Sequence, residues 1–303
     1  MAKICRRFCR NTHNLEGIMN FTENTEIIEL GNGIYARIHK NLTNSGIIVG
    51  DDSVLVIDSL RVPSFARDLK SDVKKITDKP IKYVVDTHSH WDHSWGNEEF
   101  LDSTIIGHDN CYKEMTDPNI IEHWKNTLDT SPLWKDADWS AETKIVTVTP
   151  PNLTFSNSMT LHVGDHEVVL MYLGKAHTSS DIYIHLPKED LLFTGDVIQK
   201  QRMPYLGDGY PKDWPETDEK IVNLNINNFV PGHGDLGKHA DMVDAKDFIH
   251  DLINQTTVEI QNGRSSEETA SLVTDSLKEK YETWWGFDSL SVQIPTVYEK
   301  LSK

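Results

Sequence analysis

The run HSHWDH at residues 88–93 constrains this 303-residue chain more than any other feature of its sequence. It places three imidazoles and one carboxylate within six positions, directly after an apolar segment typical of a strand. Residues two apart face the same way in an extended chain, so we expect His88 and His90 to converge on one ion where the strand ends. Asp92 and His93 lie where the chain is expected to turn into a helix, and they can face a second ion. The run therefore predicts half of the ligands of a two-metal centre.

Three further residues of ligand type follow other apolar, strand-like segments. They are His177 in the motif GKAHTSSD, Asp196 in LFTGD and His233 in VPGHG. Glycines flank these positions, as expected where the backbone turns sharply or approaches another segment closely. Two stacked sheets with helices outside would bring such strand-end loops to one edge.

The order of these four motifs closely resembles that of the metallo-β-lactamase-fold hydrolases, and the segment NSGIIVGDDSVLVIDS at residues 44–59 is similar to the opening hairpin of that family. The resemblance covers roughly residues 29–241 and implies a four-layered αββα sandwich of the α/β class. It also implies seven metal ligands. The first metal ion would be held by His88, His90 and His177 and the second by Asp92, His93 and His233, with Asp196 bridging the two.

The aspartate at position 196 bears on the substrate. It resembles the glyoxalase-II-like and lactonase-like branches of the family, whereas the best-known antibiotic-degrading branches have a cysteine there or lack the bridging carboxylate. The expected fold is unaffected by this difference, but the substrate stays open. A non-catalytic binding module of the same fold is disfavoured, because such proteins usually lack ligands and every ligand position is filled here.

The resemblance implies a hydrolase with two metal ions per chain. Zinc is the first expectation and iron or manganese are alternatives, since imidazole and carboxylate ligands suit several divalent metals. A bridging hydroxide would attack an activated carbonyl, with Asp92 as the catalytic residue that orients it and moves its proton. A β-lactam is the first expected substrate, within a broad range, and lactonase, thioesterase and phosphoesterase activities are alternatives. An alternative of another class is a mononuclear-iron persulfide dioxygenase, which would use only His88, His177 and Asp196.

Other residues are candidates on position alone. Metal-bound histidines need outer hydrogen-bond partners that fix their tautomer, and the candidates for this role are Asp58, Asp86 and Thr178. The segment that follows Asp196 is expected to run past the metal ions. Its candidates for binding a substrate, with a guanidinium best suited to a carboxylate, are Lys200, Arg202 and Tyr205.

Charge and apolar pattern limit the partners. The formal net charge of −17 argues against nucleic acid, because phosphate binding relies on Lys and Arg. No segment approaches the ~18–20 apolar residues of a membrane span, and the N-terminal segment has no apolar core long enough for a secretory signal. The three cysteines, an odd number, do not form a disulfide framework. We therefore expect a cytoplasmic protein that acts on a small-molecule substrate; no pattern indicates its oligomeric state.

The remaining pattern predicts one catalytic domain with two additions. Residues 1–20 are expected to form a flexible tail, residues 21–241 the metallo-β-lactamase-fold domain, and residues 242–303 a C-terminal helical extension packed on the core. Ser266 is the favoured N-cap of the second helix of that extension. Polar helix formers around residues 110–149 predict a helical insertion in the domain, called the insertion below.

Three tryptophans lie in the insertion: Trp124, Trp134 and Trp139. We expect them to anchor the insertion to the core, because large aromatic side chains are mostly buried for packing. The alternative is that they overhang the metal ions and shape a substrate pocket.

Overall fold

Two β-sheets form the centre of the protein in the computed structural model, which describes residues 24–303. The first sheet has seven strands within that range, and its strands neighbour one another in chain order. Strands β1 to β4 pair antiparallel, whereas β4 to β7 pair parallel. The strands are β1 (Thr25–Gly31), β2 (Ile34–His39), β3 (Ser45–Val49), β4 (Val54–Ile57), β5 (Ile81–Val85), β6 (Thr104–His108) and β7 (Leu153–Phe155).

The second sheet has the strand order β13-β12-β11-β10-β9-β8. Its strands are β8 (Ser158–Val163), β9 (His166–Tyr172), β10 (Ile182–Leu186), β11 (Leu191–Gly195), β12 (Asn228–Pro231) and β13 (Gly237–Lys238). Strand β10 is antiparallel to both β9 and β11, and β12 is parallel to β11. Strands β9, β11 and β12 therefore run in the same direction and end at the same edge.

Helices cover the outer faces of both sheets. The α-helices of the described chain are α1 (Pro63–Ile76), α2 (Trp91–Ser94), α3 (Asp109–Thr116), α4 (Pro118–Thr130), α5 (Ser140–Ile145), α6 (Trp214–Val222), α7 (His239–Gln261), α8 (Ser266–Tyr281) and α9 (Leu290–Ser302). Short 3₁₀ helices lie at Trp95–Phe100, Pro187–Glu189 and Phe287–Ser289. Between residues 24 and 303, no helix combines the length and the apolar character that crossing a membrane requires.

The alternation of side chains along the strands creates three buried layers. In β3, Ile48 packs between the sheets, while its neighbour Ile47 packs outward with α1. In β11, Phe193 packs between the sheets, while Leu192 packs outward with α7 and α8. Successive strand residues face opposite sides of a sheet, so one strand can serve two apolar layers. The result is helix, sheet, sheet and helix, which confirms the αββα expectation.

Helix bounds in the C-terminal region differ in detail from those expected. Helix α7 begins at His239, so the expected domain boundary between residues 241 and 242 falls in its first turn. The N-cap of α8 is Ser265 and the prediction of Ser266 was wrong. Ser265 Oγ accepts from Glu268 N at 3.2 Å, and Glu268 Oε2 accepts from Ser265 N at 2.9 Å. This reciprocal pair decides between the two serines, because only Ser265 has a glutamate three residues later in the helix.

The domain division itself stays a prediction. The expected tail at residues 1–20, with Cys5 and Cys9, lies outside the described residues. The insertion contains the helices α3, α4 and α5, in agreement with its helical composition.

Candidate metal centre

The ends of β5, β9, β11 and β12 bring the ligand-type side chains together. His88 and His90 follow β5 of the first sheet, and α2 carries Asp92 and His93. The loops after β9, β11 and β12 of the second sheet supply the other three residues, which are His177, Asp196 and His233. The seven side chains thus come from two sheets and from positions up to 145 residues apart (233 − 88), but meet at one edge.

Two of the clusters at this edge differ in composition. The three-histidine group consists of His88, His90 and His177, and the mixed group consists of Asp92, His93 and His233. Within each, the candidate ligand atoms lie within 4.8 Å of one another. Asp196 lies between the groups: its Oδ2 is 3.7 Å from His177 Nε2 and 3.3 Å from His233 Nε2.

The inward nitrogens of the three-histidine group suit a metal ion. His177 Nε2 lies 2.9 Å from His90 Nδ1. His88 Nε2 is buried and has no hydrogen-bond partner among residues 24–303. Leaving a buried polar atom without a partner costs free energy, and a cation between these nitrogens would remove that cost. The donor set, imidazoles beside carboxylates, suits divalent zinc, iron or manganese.

The outward nitrogen of each histidine in this group has a different partner. His88 Nδ1 lies 3.0 Å from Thr87 Oγ1, His90 Nε2 lies 3.0 Å from Asp208 Oδ2, and His177 Nδ1 lies 3.0 Å from the carbonyl oxygen of Tyr205. Thr87 Oγ1 donates its own hydrogen to Asp58 Oδ2 at 2.9 Å, so it accepts from His88. These contacts place the ring hydrogens outside and leave the inward lone pairs available to an ion.

The side chains of the mixed group are held by residues next to strands of the first sheet and by ion pairs with one another. His93 Nδ1 donates to Asp58 Oδ2 at 2.7 Å, so its Nε2 faces the cluster, 3.3 Å from His233 Nε2. Thr43 Oγ1 donates to Asp92 Oδ2 at 3.0 Å, and His233 Nε2 lies 3.3 Å from the same oxygen. Asp58 immediately follows β4, and Thr43 forms a β-bridge with His233.

The turn that carries His233 requires Gly232. A Cβ at this position would overlap Asp196 Oδ1 and His93 Cε1. The neighbouring segment is tied down by Asn44, whose Nδ2 donates to the carbonyl oxygens of Pro231 and Gly234, both at 2.9 Å. The close approach of backbone and ligands explains the glycine in the motif VPGHG.

Burial keeps two imidazoles of the three-histidine group neutral. It lowers the pKa of His177 to about 3 and that of His88 well below its ordinary value, and neighbouring histidines add to both shifts. His90 differs from them, because its hydrogen bond to Asp208 and the charges of Asp208, Asp92 and Asp196 together outweigh burial and raise its pKa. Neutral imidazole is the form that binds metal ions.

Charge dominates the mixed group instead. Burial disfavours the cationic form of His93, but the carboxylates of Asp196, Asp92 and Asp58 outweigh it and raise the pKa of His93 well above its ordinary value. The pKa of His233 is raised for the same reason, by Asp196 and Asp92. In turn, these histidines overcome burial and hold the pKa values of Asp92 and Asp196 well below their usual range.

The expected outer partners have different surroundings. Asp58 contacts a candidate ligand, His93, whereas Asp86 Oδ2 accepts from Asn97 Nδ2 at 2.8 Å and Thr178 Oγ1 donates to Asp181 Oδ1 at 2.7 Å. Sequence reasoning missed Thr87, Asp208 and the carbonyl of Tyr205 as partners of the histidines. A backbone carbonyl has no sequence signal. Asp208 had only its place in the segment after Asp196 as a signal.

The three candidates for binding a substrate also differ in their contacts and exposure. Arg202 is partly buried, and its guanidinium carbon lies 3.4 Å from the ring centroid of Trp285. Burial lowers the pKa of Arg202 to about 10 against the attraction of Asp196 and Asp92, so it stays cationic beside the metal centre. Lys200 Nζ lies 3.7 Å from Asp241 Oδ2, at the start of α7. The ring of Tyr205 lies 6.1 Å from that of His90 and is 44% exposed.

An open pocket of about 610 Å³ lies beside the three-histidine group. The residues that line it include Ser89 and His90, Trp124 of the insertion, and Lys300 of α9. The Trp124 ring lies 5.1 Å from His90 and 6.0 Å from Tyr205. Trp124 therefore fits the alternative expectation, that the insertion shapes a pocket, and it also packs against the apolar core as an anchor would.

The other two tryptophans of the insertion fit the first expectation, because Trp139 is buried in the core and Trp134 packs against it. Trp139 and Trp134 lie 5.1 and 5.9 Å from the guanidinium carbon of the buried Arg61. Trp139 also stacks on Trp91 of α2, with ring centroids 5.5 Å apart. They anchor the insertion to the segment that carries Asp92 and His93.

Comparison with known proteins agrees with the fold. The family model described as "Metallo-beta-lactamase superfamily" matches residues 40–233, which is more than half of the chain and includes all seven candidate ligands. A "Metallo-beta-lactamase type 2" of Elizabethkingia meningoseptica is 27% identical over 201 residues, covering 65% of this chain and 70% of that protein. One of Bacillus cereus is 25% identical over 245 residues, covering 77% and 85%. The solved structure of a metallo-beta-lactamase from Pontibacter korlensis matches with a TM-score of 0.59 at 16% identity, covering 75% of this chain and 99% of that one.

Proposed function

Since the chain belongs to the metallo-beta-lactamase superfamily, we propose that it is a metal-dependent hydrolase that holds one ion in the three-histidine group, a second in the mixed group, and Asp196 between them. The observation that carries this proposal is the gathering of the seven ligand-type side chains at one edge, with ligand atoms within 4.8 Å of one another in each group. His88 Nε2, which is buried and has no hydrogen-bond partner in the described part of the chain, supports it independently. Zinc is the proposed metal, with iron or manganese as alternatives.

When bound, two such ions would lower the pKa of a water molecule towards roughly 7 and polarise a carbonyl group. Asp92 is the proposed catalytic residue. Its carboxylate is ionised, and Thr43 fixes its Oδ2 beside His233. From there it can orient a water molecule by accepting its hydrogen, and then pass the proton to a leaving group.

Arg202 is proposed to recognise an anionic group of the substrate. Its guanidinium forms no ion pair with any residue between 24 and 303, and Trp285 holds it by stacking. A partly buried guanidinium beside a carbonyl-activating centre suits a carboxylate, which it can bind with two parallel hydrogen bonds. Lys200, which is directed at Asp241, is the weaker candidate.

A β-lactam is the first proposed substrate. Two relatives named as metallo-beta-lactamases support it, at 25–27% identity. The pocket of about 610 Å³ is of a size usual for small molecules. An aspartate at position 196 is a feature of other branches of the family, so lactones, thioesters and phosphoesters are the alternative substrates. We propose that the protein hydrolyses several of these compounds. A small-molecule substrate fits the acidic net charge, and a cytoplasmic location fits the few cysteines.

Metal analysis beside a substrate screen tests this function. Protein purified without added metal is expected to carry two zinc equivalents and to hydrolyse at least one of a β-lactam, a lactone, a thioester and a phosphodiester. A chelator should abolish turnover and zinc should restore it. One iron per chain with oxygen uptake on a persulfide would contradict the proposal in favour of a dioxygenase. Full metal loading without any turnover would indicate a binding module instead.

A further inference from the structure

The loop formed by residues 201–209, called the acceptor loop below, supplies two of the three outer partners of the three-histidine group. The carbonyl of Tyr205 accepts from His177 Nδ1, and Asp208 Oδ2 accepts from His90 Nε2, both at 3.0 Å. The position of this loop therefore sets the orientation of two imidazole rings. Apart from a single bridge residue, the loop has no strand or helix of its own.

Helix α9 holds the acceptor loop through two side chains. Gln293 Oε1 accepts from Leu206 N at 2.7 Å, and Gln293 Nε2 donates to the carbonyl of Pro204 at 3.4 Å. Lys300 Nζ donates to the carbonyls of Gly207 and Gly209, at 2.6 and 2.8 Å. These four contacts satisfy backbone groups that a loop cannot pair internally.

The start of the acceptor loop is tied to the same C-terminal region. Trp285 N donates to Gln201 O and Met203 N donates to Trp285 O, both at 2.9 Å. Met203 and Leu206 are buried in one apolar cluster with Ile294 and Val297 of α9. The loop is therefore held by polar and apolar contacts to a segment about 90 residues further along the chain (293 − 204 = 89).

We propose that Gln293 and Lys300 are positioning residues for the three-histidine group, acting through the acceptor loop. The inference rests on the proposed function and assigns the C-terminal helix a role in it. The mixed group has no such dependence, because its outer partners Asp58 and Thr43 adjoin strands of the first sheet. Loss of the α9 contacts should thus weaken metal binding at one group and spare the other.

The test compares Gln293→Leu and Lys300→Met with Lys303→Met, which makes the same chemical change at an exposed position of the same helix end. Lys300→Arg keeps the donors and should restore the behaviour of the parent. Lys300 lines the pocket whereas Gln293 does not, so agreement between the two variants separates positioning from substrate contact. Each change is made in the full chain, with thermal melting as the check on folding.

Cobalt affinity by chelator competition is measured in two backgrounds that each leave one group. In His233→Ala, which retains the three-histidine group, Gln293→Leu and Lys300→Met are expected to weaken cobalt binding by about tenfold, the lower end of the effect of losing an outer partner. In His90→Ala, which retains the mixed group, they should leave the affinity unchanged. Hydrogen exchange of the acceptor loop in the metal-free protein should be faster in both variants and unchanged in Lys303→Met.

The outcomes separate this inference from the proposed function. Faster exchange in the loop with unchanged cobalt affinity overturns the inference while the hydrolase proposal stands. Equal weakening in both backgrounds overturns it too, because that result reports general destabilisation. A parent protein that binds no metal ion overturns both. Should Gln293→Leu fail to fold, Lys300→Met and its Lys300→Arg rescue decide the outcome.

Discussion

The three-histidine group and the mixed group lie side by side and share Asp196, but different parts of the chain hold them. The first group takes two of its outer partners from the acceptor loop, which depends on α9. The second takes its partners from residues that adjoin the first sheet, and its own charges attract one another. Asp58 is shared, because it accepts from His93 of the mixed group and from Thr87, the partner of His88. Adjacent ligand sets can still respond differently to the same perturbation, because the acceptor loop supports only the first of them.

The largest expected effect is the loss of turnover in Asp92→Ala. The carboxylate that is proposed to orient water and move its proton is removed, and general acid–base roles typically contribute ~10²–10⁴-fold. The variant should keep an ion in the three-histidine group, because none of that group's contacts involves Asp92. Steady-state kinetics with metal analysis checks both points. The control is Asp78→Ala at an exposed ion pair, and undiminished turnover in Asp92→Ala would remove this residue from the mechanism.

Asp58 and Asp208 are the carboxylates that hydrogen-bond to candidate ligands from outside the clusters, and replacing each should weaken metal binding at the two groups to different extents. Asp58→Asn is expected to weaken metal binding at the mixed group by about 10–100-fold, because His93 loses the anion that orients it. The three-histidine group should lose less in this variant, because Asp58 reaches His88 only through Thr87. Asp208→Asn should weaken the three-histidine group less, since the Asp208 side chain is 41% exposed against 3% for Asp58 and water can replace it. Chelator competition on the two variants measures the difference. Equal losses at both groups in either variant would contradict separate supports.

When the pH is lowered, the mixed group should lose its metal ion before the three-histidine group does. The pKa values of His93 and His233 are raised, so these rings hold protons that an ion must displace, and affinity should fall about tenfold per pH unit for each displaced proton. In the three-histidine group only His90 has a raised pKa, whereas His177, with a pKa of about 3, and His88 hold no such proton near neutral pH. Metal content measured while pH is lowered should therefore fall in two steps. Simultaneous loss of both ions would count against this order.

The smallest expected effect concerns the pocket. Trp124→Ala should raise KM by roughly threefold to tenfold with little change in kcat, since the ring supplies an aromatic contact at the pocket wall. Trp139→Ala is the matched comparison, because that ring is buried around Arg61 and its loss should lower the free energy of unfolding by about 3–5 kcal/mol. Kinetics and thermal melting of both variants test whether Trp124 contributes to substrate binding and Trp139 to stability. A stability loss without a KM change in Trp124→Ala would make it an anchor as well.

Much of the fold followed from local pattern. The sequence predicts strands at residues 153–155 and 191–194, and the structure has them at Leu153–Phe155 and Leu191–Gly195, because short runs bounded by turn residues are local features. The apolar face of residues 62–76 also predicts a helix, which the structure has at Pro63–Ile76 with Val62 as its N-cap. Strand β13, with two residues, was beyond such reasoning, since it exists only through pairing with β12. The predicted N-cap of α8 was wrong by one residue. Ser265 and Ser266 are adjacent serines, and only Ser265 has Glu268 as its hydrogen-bond partner.

Spacing and chemistry in the sequence identified the seven candidate ligands, and the resemblance of their motifs to a known family implied the αββα layers. A histidine or carboxylate at the end of an apolar strand can be recognised without knowing its neighbours. Only the tertiary structure decided that Thr87, Asp208 and a carbonyl at Tyr205 hold the three histidines, and that Gln293 and Lys300 hold the loop that does so. Those partners are chosen by contacts across as many as 118 positions, and hydrogen bonding to a backbone carbonyl does not depend on the identity of its side chain.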